Sequence, residues 1–203
     1  MQSRKLAVSL LTASAALGFM LLLGWWQVDG PAAAPGQSRR PLPLTAMEFA
    51  LIDHDENPVG PETLIGRPSL VFFGFTYCPD VCPTTLSNIS AWLDGLGRDN
   101  AEQMNVVFVS IDPARDTAQS MANYVVHFHP SIRGWTGSAA EVARAADGFR
   151  VGYERVALEA GGYTMNHNAS VFLFNASGRF VATIDQHETG EVALPKILRA
   201  LTG

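Results

Sequence analysis

Ser69-Leu70-Val71-Phe72-Phe73-Gly74-Phe75-Thr76-Tyr77-Cys78-Pro79-Asp80-Val81-Cys82-Pro83 is the stretch from which the rest of the chain can be read. From Ser69 to Phe75 it carries no charge and does not alternate polar with apolar, the pattern of a strand covered on both faces. The two cysteines, the chain's only ones, follow at once and stand four positions apart. Cys78 then belongs to the loop closing the strand, and Cys82 to the first turn of a helix. Pro79 and Pro83 suit that place, because first-turn amides have no intrahelical acceptor. The free N–H groups and the helix dipole there favour thiolate over thiol. Paired thiols at such a junction restrict the chemistry to a dithiol redox site or a soft-metal site.

Working outward, Asn105 to Ile111 repeats the apolar strand pattern, and Leu86, Ile89, Leu93 and Leu96 between the two runs share a helical stripe. Strand, helix and strand of these lengths make a βαβ unit with a right-handed crossover. A second helix is predicted from Asp116, as N-cap with Gln119 three positions on, with Met121, Tyr124, Val125 and Phe128 on one face. A third covers Ala139 to Phe149. Ser170–Phe174 and Arg179–Ile184 flank the turn Asn175-Ala176-Ser177-Gly178, a hairpin signal. A last helix carries Leu194, Ile197, Leu198 and Leu201. Upstream, Phe49–Ile52 and Pro58–Gly60 around the polar turn Asp53–Asn57 form an opening hairpin. The order βαβ, α, ββ, α is that of an α/β, thioredoxin-like fold with a central mixed sheet.

The front of the chain is different. Arg4 and Lys5 precede an uncharged run from Leu6 to Trp26 that ends in Gly24-Trp25-Trp26. Roughly 20 such residues span a bilayer core, whereas a signal-peptide core is about 7–15. The Trp pair matches an interfacial belt. Residues 1–5 therefore read as a cytoplasmic N-terminus and 6–26 as a transmembrane anchor. Residues 27–44, rich in Pro, Ala, Gly and Ser, read as a flexible linker, and 45–203 as the folded domain. The basic residues place everything after Trp26 outside the cytoplasm, best matched by a single-pass protein of a bacterial inner membrane with its domain in the periplasm. With 14 Lys and Arg against 19 Asp and Glu, net −5, and no basic stripe, nucleic acid is excluded as a partner. In an oxidising compartment two nearby thiols close to a disulfide unless a metal or a reductant intervenes. A purely structural bridge across so short a loop would stabilise little.

A soft ion such as Cu(I) held by two thiolates calls for a third donor, and imidazole suits it. The histidines are His54, His127, His129, His167 and His187. His167 is the choice, because the loop Tyr163–Ser170 precedes a predicted central strand and in a thioredoxin-like sheet faces the cysteine loop. His127 and His129 sit at a predicted helix end, where imidazole suits free carbonyls. His54 and His187 lie in polar turns. For Cu(II), Met165 or Asp80 is a fourth-donor candidate that the sequence does not single out.

Phe73-Gly-Phe-Thr-Tyr-Cys-Pro-Asp-Val-Cys-Pro-Thr-Thr-Leu86 resembles the signature of the Sco/SenC proteins. Ser110-Ile-Asp-Pro-Ala-Arg-Asp-Thr117 and the Asn166-His167 segment agree with it, and the likeness runs from about Ala46 to Gly203. The resemblance implies a membrane-tethered thioredoxin fold that binds one copper, Cu(I) or Cu(II), through Cys78, Cys82 and His167. It further implies a role in maturing the copper centre of cytochrome c oxidase, as metallochaperone, as thiol reductant, or both, with the metallochaperone role leading and enzyme activity left open. The implied partners are the oxidase's copper-bearing subunit, another copper chaperone and a thiol reductant. Asn168 departs from the pattern, since many relatives carry Ser or Thr there. Thioredoxin-type oxidoreductases carry a cis-proline facing their cysteines, whereas this chain has no proline between Pro130 and Pro195 and places His167 in that loop. The alternative is a periplasmic thiol–disulfide reductant, with Cys78 and Cys82 as the redox-active pair acting on the oxidase's cysteines. A thiol peroxidase is a weaker third reading that rests on the fold alone.

Overall fold

A computed structural model describes residues 17–20 and 40–203. The expected anchor over 6–26 therefore lies outside the described residues except for 17–20, which are helical, and so does most of the linker. Among the described residues no helix is long and apolar enough to cross a membrane.

The compact unit runs from Arg40 to Gly203. Its elements are β1 (Leu51–Asp53), β2 (Pro58–Val59), β3 (Ser69–Gly74), α1 (Val81–Leu96), α2 (Arg98–Ala101), β4 (Asn105–Ser110) and α3 (Ala118–Val125). They continue with β5 (Ile132–Thr136), α4 (Ala139–Phe149), β6 (Tyr153–Ala157), β7 (Tyr163–His167), β8 (Val171–Phe174), β9 (Phe180–Ile184) and α5 (Gly190–Thr202). Seven strands form one mixed sheet in the order β2-β1-β5-β4-β3-β8-β9, and β6 and β7 form a separate hairpin. The βαβ unit is present, with β3 and β4 adjacent and parallel, Phe72 opposite Phe108.

Every residue of β3 is buried, as its unbroken apolar run requires. Its two faces hold separate aromatic layers. Phe72 stacks on Phe108 at 5.8 Å, and Tyr124 of α3 joins Phe108 at 5.6 Å. On the other face Phe149 of α4 packs against Phe73 at 5.1 Å, Phe172 at 5.9 Å and Phe174 at 5.5 Å. The sheet is thus sandwiched between helices, the layered solution for strands apolar on both sides.

Three expectations are corrected. The N-cap of α3 is Thr117, whose side chain accepts from the Ser120 amide, and Asp116 is instead buried in the loop network. The buried stripe of α5 is Ala193, Ile197 and Ala200, while Leu198 is 45% exposed. Ile197 is common to both, and Leu194 and Leu201 pack at the margin of the core, so the expected stripe errs at Leu198 and lacks the small Ala193 and Ala200, which allow close approach. Finally, β5 and the β6–β7 hairpin were not anticipated, so His167 closes a strand rather than sitting in a loop. The burial of β6 and β7, almost wholly intermediate or exposed, explains why no apolar periodicity announced them.

Candidate metal and dithiol site

β3 ends at Gly74 and delivers the cysteine loop to the N-terminus of α1. Gly74 is the spacer for this junction: a Cβ built there would lie 2.7 Å from Cys82 Sγ and 2.8 Å from the Phe108 ring. Cys82, the second residue of α1, is fully buried, and Cys78 is half-buried in the loop before it. Both are free thiols. The Cys82 amide donates to Cys78 Sγ at 3.3 Å, so the sulfur takes the place of a capping oxygen at the helix start. Asp80, the N-cap residue, makes no side-chain capping bond.

The two thiols are unlike. A hydrogen bond from Cys82 holds the Cys78 thiol down to about 4 against the opposing effect of burial, with the Cys82 and Asp80 amides adding to it. The same hydrogen bond, followed by burial and by the charge on Cys78, pushes the Cys82 thiol up. The pair therefore shares one proton, which Cys82 keeps, and Cys78 is the thiolate.

His167 closes the set. Its Nε2 lies 3.7 Å from Cys82 Sγ, and its Nδ1 lies 3.1 Å from the Asn168 carbonyl oxygen. A carbonyl only accepts, so Nδ1 carries the ring proton and Nε2 presents a lone pair to the sulfur. This is the outer partner that a metal-binding imidazole ordinarily uses. The ring sits edge-on to Phe75 at 6.0 Å and tilted to Phe72 at 6.4 Å, which walls one side of the site with hydrocarbon. The Asn168 side chain turns away and accepts from the Gly152 amide at 3.0 Å, closing the hairpin's base. Among the described residues no three His, Cys, Asp or Glu side chains are drawn tightly enough to enclose an ion as they stand.

The other histidines are accounted for elsewhere. His54 Nδ1 accepts from the Gly134 amide at 2.9 Å and His129 Nδ1 from the Ser131 amide at 3.2 Å. His127 and His187 are exposed. Met165 shares the face of β7 that holds His167 and packs against the core, whereas Asp80 is exposed and accepts from the Thr84 hydroxyl at 3.4 Å.

Sequence reasoning missed the network behind the thiols. Asp116, 1% exposed, accepts from the Thr76 amide at 3.1 Å, the Thr76 hydroxyl at 2.5 Å and the Ser110 hydroxyl at 2.6 Å. Burial raises its carboxyl against those bonds. The motif Ser110–Thr117 held the signal: a polar run directly after a buried strand must either reach solvent or satisfy itself internally.

A strand-to-helix junction bearing paired thiols, backed by a mixed sheet and faced by a hairpin, defines the class of thioredoxin-like dithiol proteins. The SCO1/SenC family model matches residues 37–202, and the chain belongs to that family. The Arabidopsis thaliana mitochondrial protein SCO1 homolog 1 is 34% identical over 153 residues, 75% of this chain. The chain spans about half the length of the curated relatives it matches, 44% and 56% of two of them. Among solved structures, Bradyrhizobium japonicum ScoI with copper bound is 40% identical, with 75% of this chain and 97% of that one covered at a TM-score of 0.70. BsSco, described as a member of the Sco family of cytochrome c oxidase assembly proteins, is 21% identical, with 76% and 91% covered at a TM-score of 0.60, and shares the fold.

Proposed function

We propose that this chain binds one copper ion through Cys78, Cys82 and His167 and hands it on as cargo in the assembly of cytochrome c oxidase. The observation that carries the reading is His167 Nε2 standing 3.7 Å from Cys82 Sγ, with Nδ1 engaged by the Asn168 carbonyl. Bond lengths of roughly 2.3 Å to sulfur and 2.0 Å to nitrogen, as for zinc, put trigonal ligands about 3.7 Å apart. The donor set is soft enough for Cu(I), and the helix N-terminus offsets the surplus negative charge of two thiolates. Loading would displace the proton that Cys82 keeps. Kinship with a ScoI solved with copper supports the cargo, and the family resemblance supports the oxidase as its destination.

The uncharged run from Leu6 to Trp26 supports an anchor in the inner membrane with residues 45–203 in the periplasm, facing the oxidase's copper-bearing subunit.

A second reading has its own observation. A thiolate at Cys78 beside a protonated Cys82 is a dithiol ready to attack a disulfide, since the thiolate is the nucleophile. Cu(I) titration of the reduced full-length chain against a competing chelator separates the two. Copper delivery predicts one tightly held ion and a loss of about 100-fold in affinity for His167→Ala, the upper range for disturbing a metal site. Binding indifferent to His167, with disulfide reduction that needs only the cysteines, would move the function to thiol reduction.

A further inference from the structure

The β6–β7 hairpin makes no ladder with the seven-stranded sheet, yet it carries His167. Among the described residues, two hydrogen bonds at Tyr163 join it to the body besides the His167–Cys82 contact. Tyr163 Oη donates to Asp112 Oδ1 at 2.8 Å, and the Tyr163 carbonyl accepts from Arg115 Nη1 at 3.1 Å. The Arg115 guanidinium lies 3.8 Å over the Tyr163 ring, donates through Nε to the buried Asp112 carboxylate, and lies 4.7 Å from the ring of Tyr77. Tyr77 immediately precedes Cys78. One planar side chain thus touches both segments that bear the candidate ligands, and its stacking and forked hydrogen bonds are those of an arginine specifically.

Tyr163, Met165 and His167 share one face of β7, as residues two apart must. With Tyr163 released, the hairpin keeps its base at Gly152 and Asn168 and the apolar packing of Tyr153 and Met165, but it loses its polar tie to the body, and the aim of the imidazole is no longer fixed. A ligand set tolerates only about 0.5 Å or 10–20° of such error.

From this geometry we infer that Arg115 is a positioning residue for copper capture: with Asp112 it clamps the hairpin through Tyr163 so that His167 stands at ligand distance from Cys82 before the ion arrives. The inference rests on the copper-site reading for its purpose, and on the hairpin contacts alone for its mechanics.

The test uses the full-length chain and two readouts. In the reduced, metal-free protein, Arg115→Gln speeds amide hydrogen exchange in β7 by about 10-fold or more and leaves β3 and β4 unchanged, because local opening is set by the contacts of the segment that opens. In Cu(I) competition, Arg115→Gln lowers affinity about 10-fold, the usual cost of removing an outer partner of a metal ligand, and Arg115→Lys does not restore it. In a His167→Ala background the same change has less than about a twofold effect, because Arg115 acts through the imidazole. Tyr163→Phe, which removes one hydroxyl and keeps the fold, shifts both readouts in the same direction by less. Unchanged β7 exchange, full rescue by Lys, or an equal loss with and without His167 each overturns the clamp. Failure of the unaltered chain to bind Cu(I) overturns the copper reading instead, and the exchange readout still decides the mechanics.

Discussion

The asymmetry of the two thiols is the site's most testable electrostatic property. With Cys78 held down to about 4 and Cys82 pushed up, iodoacetamide should label the reduced protein at Cys78 alone at pH 6, where an ordinary thiol is scarcely ionised. Mass spectrometry of the labelled peptide checks this, and equal labelling of both sulfurs, or none below pH 8, would refute it. Stability follows the same proton. From pH 4 to about 8.5 the unfolded chain binds a proton at Cys78 that the folded chain has released, so the reduced protein gains stability as pH rises. That contribution is present above the ordinary thiol value and is lost as pH falls towards 4. Above about 8.5 Cys82 reverses the slope, since the folded state keeps a proton that the unfolded state gives up. Urea midpoints across pH 5–8 should rise for the parent and stay flatter for Cys78→Ser. Gly74→Ala should cost about 1–3 kcal/mol by overpacking Cys82 and Phe108, read by the same urea titrations; a neutral result would show that the junction has slack. The three candidate ligands were nominated by spacing and resemblance. The tautomer of His167 was not legible, because it depends on a carbonyl whose direction only the folded backbone sets.

At the scale of elements, β3, α1, β4, α4 and β8 could be read because their burial leaves apolar runs or a clear stripe, while β9, mostly half-buried, was legible through the turn Asn175–Gly178 that joins it to β8. β5 was illegible, since Ile132-Arg133-Gly134-Trp135-Thr136 is short and interrupted by a charge and a glycine. There Gly134 yields room to Met121 and Val125, and Arg133 reaches out to the carboxylates of Asp53 and Asp55. The misplaced cap of α3 makes a sharp comparison. Thr117→Ala should cost about 1 kcal/mol, the usual value of a lost N-cap. Asp116→Ala should cost more, about 3 kcal/mol or above, because it strips partners from Thr76 and Ser110 beside the cysteine loop. Chemical denaturation of the two variants decides it, and the reverse order would restore Asp116 as a mere helix cap.

For the whole molecule, the folded unit begins earlier than its linker composition suggested. Leu42 donates its amide to Gly148 and Leu44 to Gly178, both at 2.9 Å, and Leu44 is 1% exposed. A run of Pro, Ala, Gly and Ser gives no sign of where the first ordered backbone bond falls. The proposed anchor implies that the full-length chain sediments with bacterial membranes and withstands carbonate washing, and release into the wash would count against a spanning helix. The proposed function is that of a tethered domain presenting two sulfurs and one nitrogen to a single soft ion. X-ray absorption of the Cu(I)-loaded full-length chain tests that most directly. The account predicts two sulfur scatterers and one imidazole nitrogen, the nitrogen vanishing in His167→Ala; a copper bound by sulfur alone in the unaltered chain would contradict it.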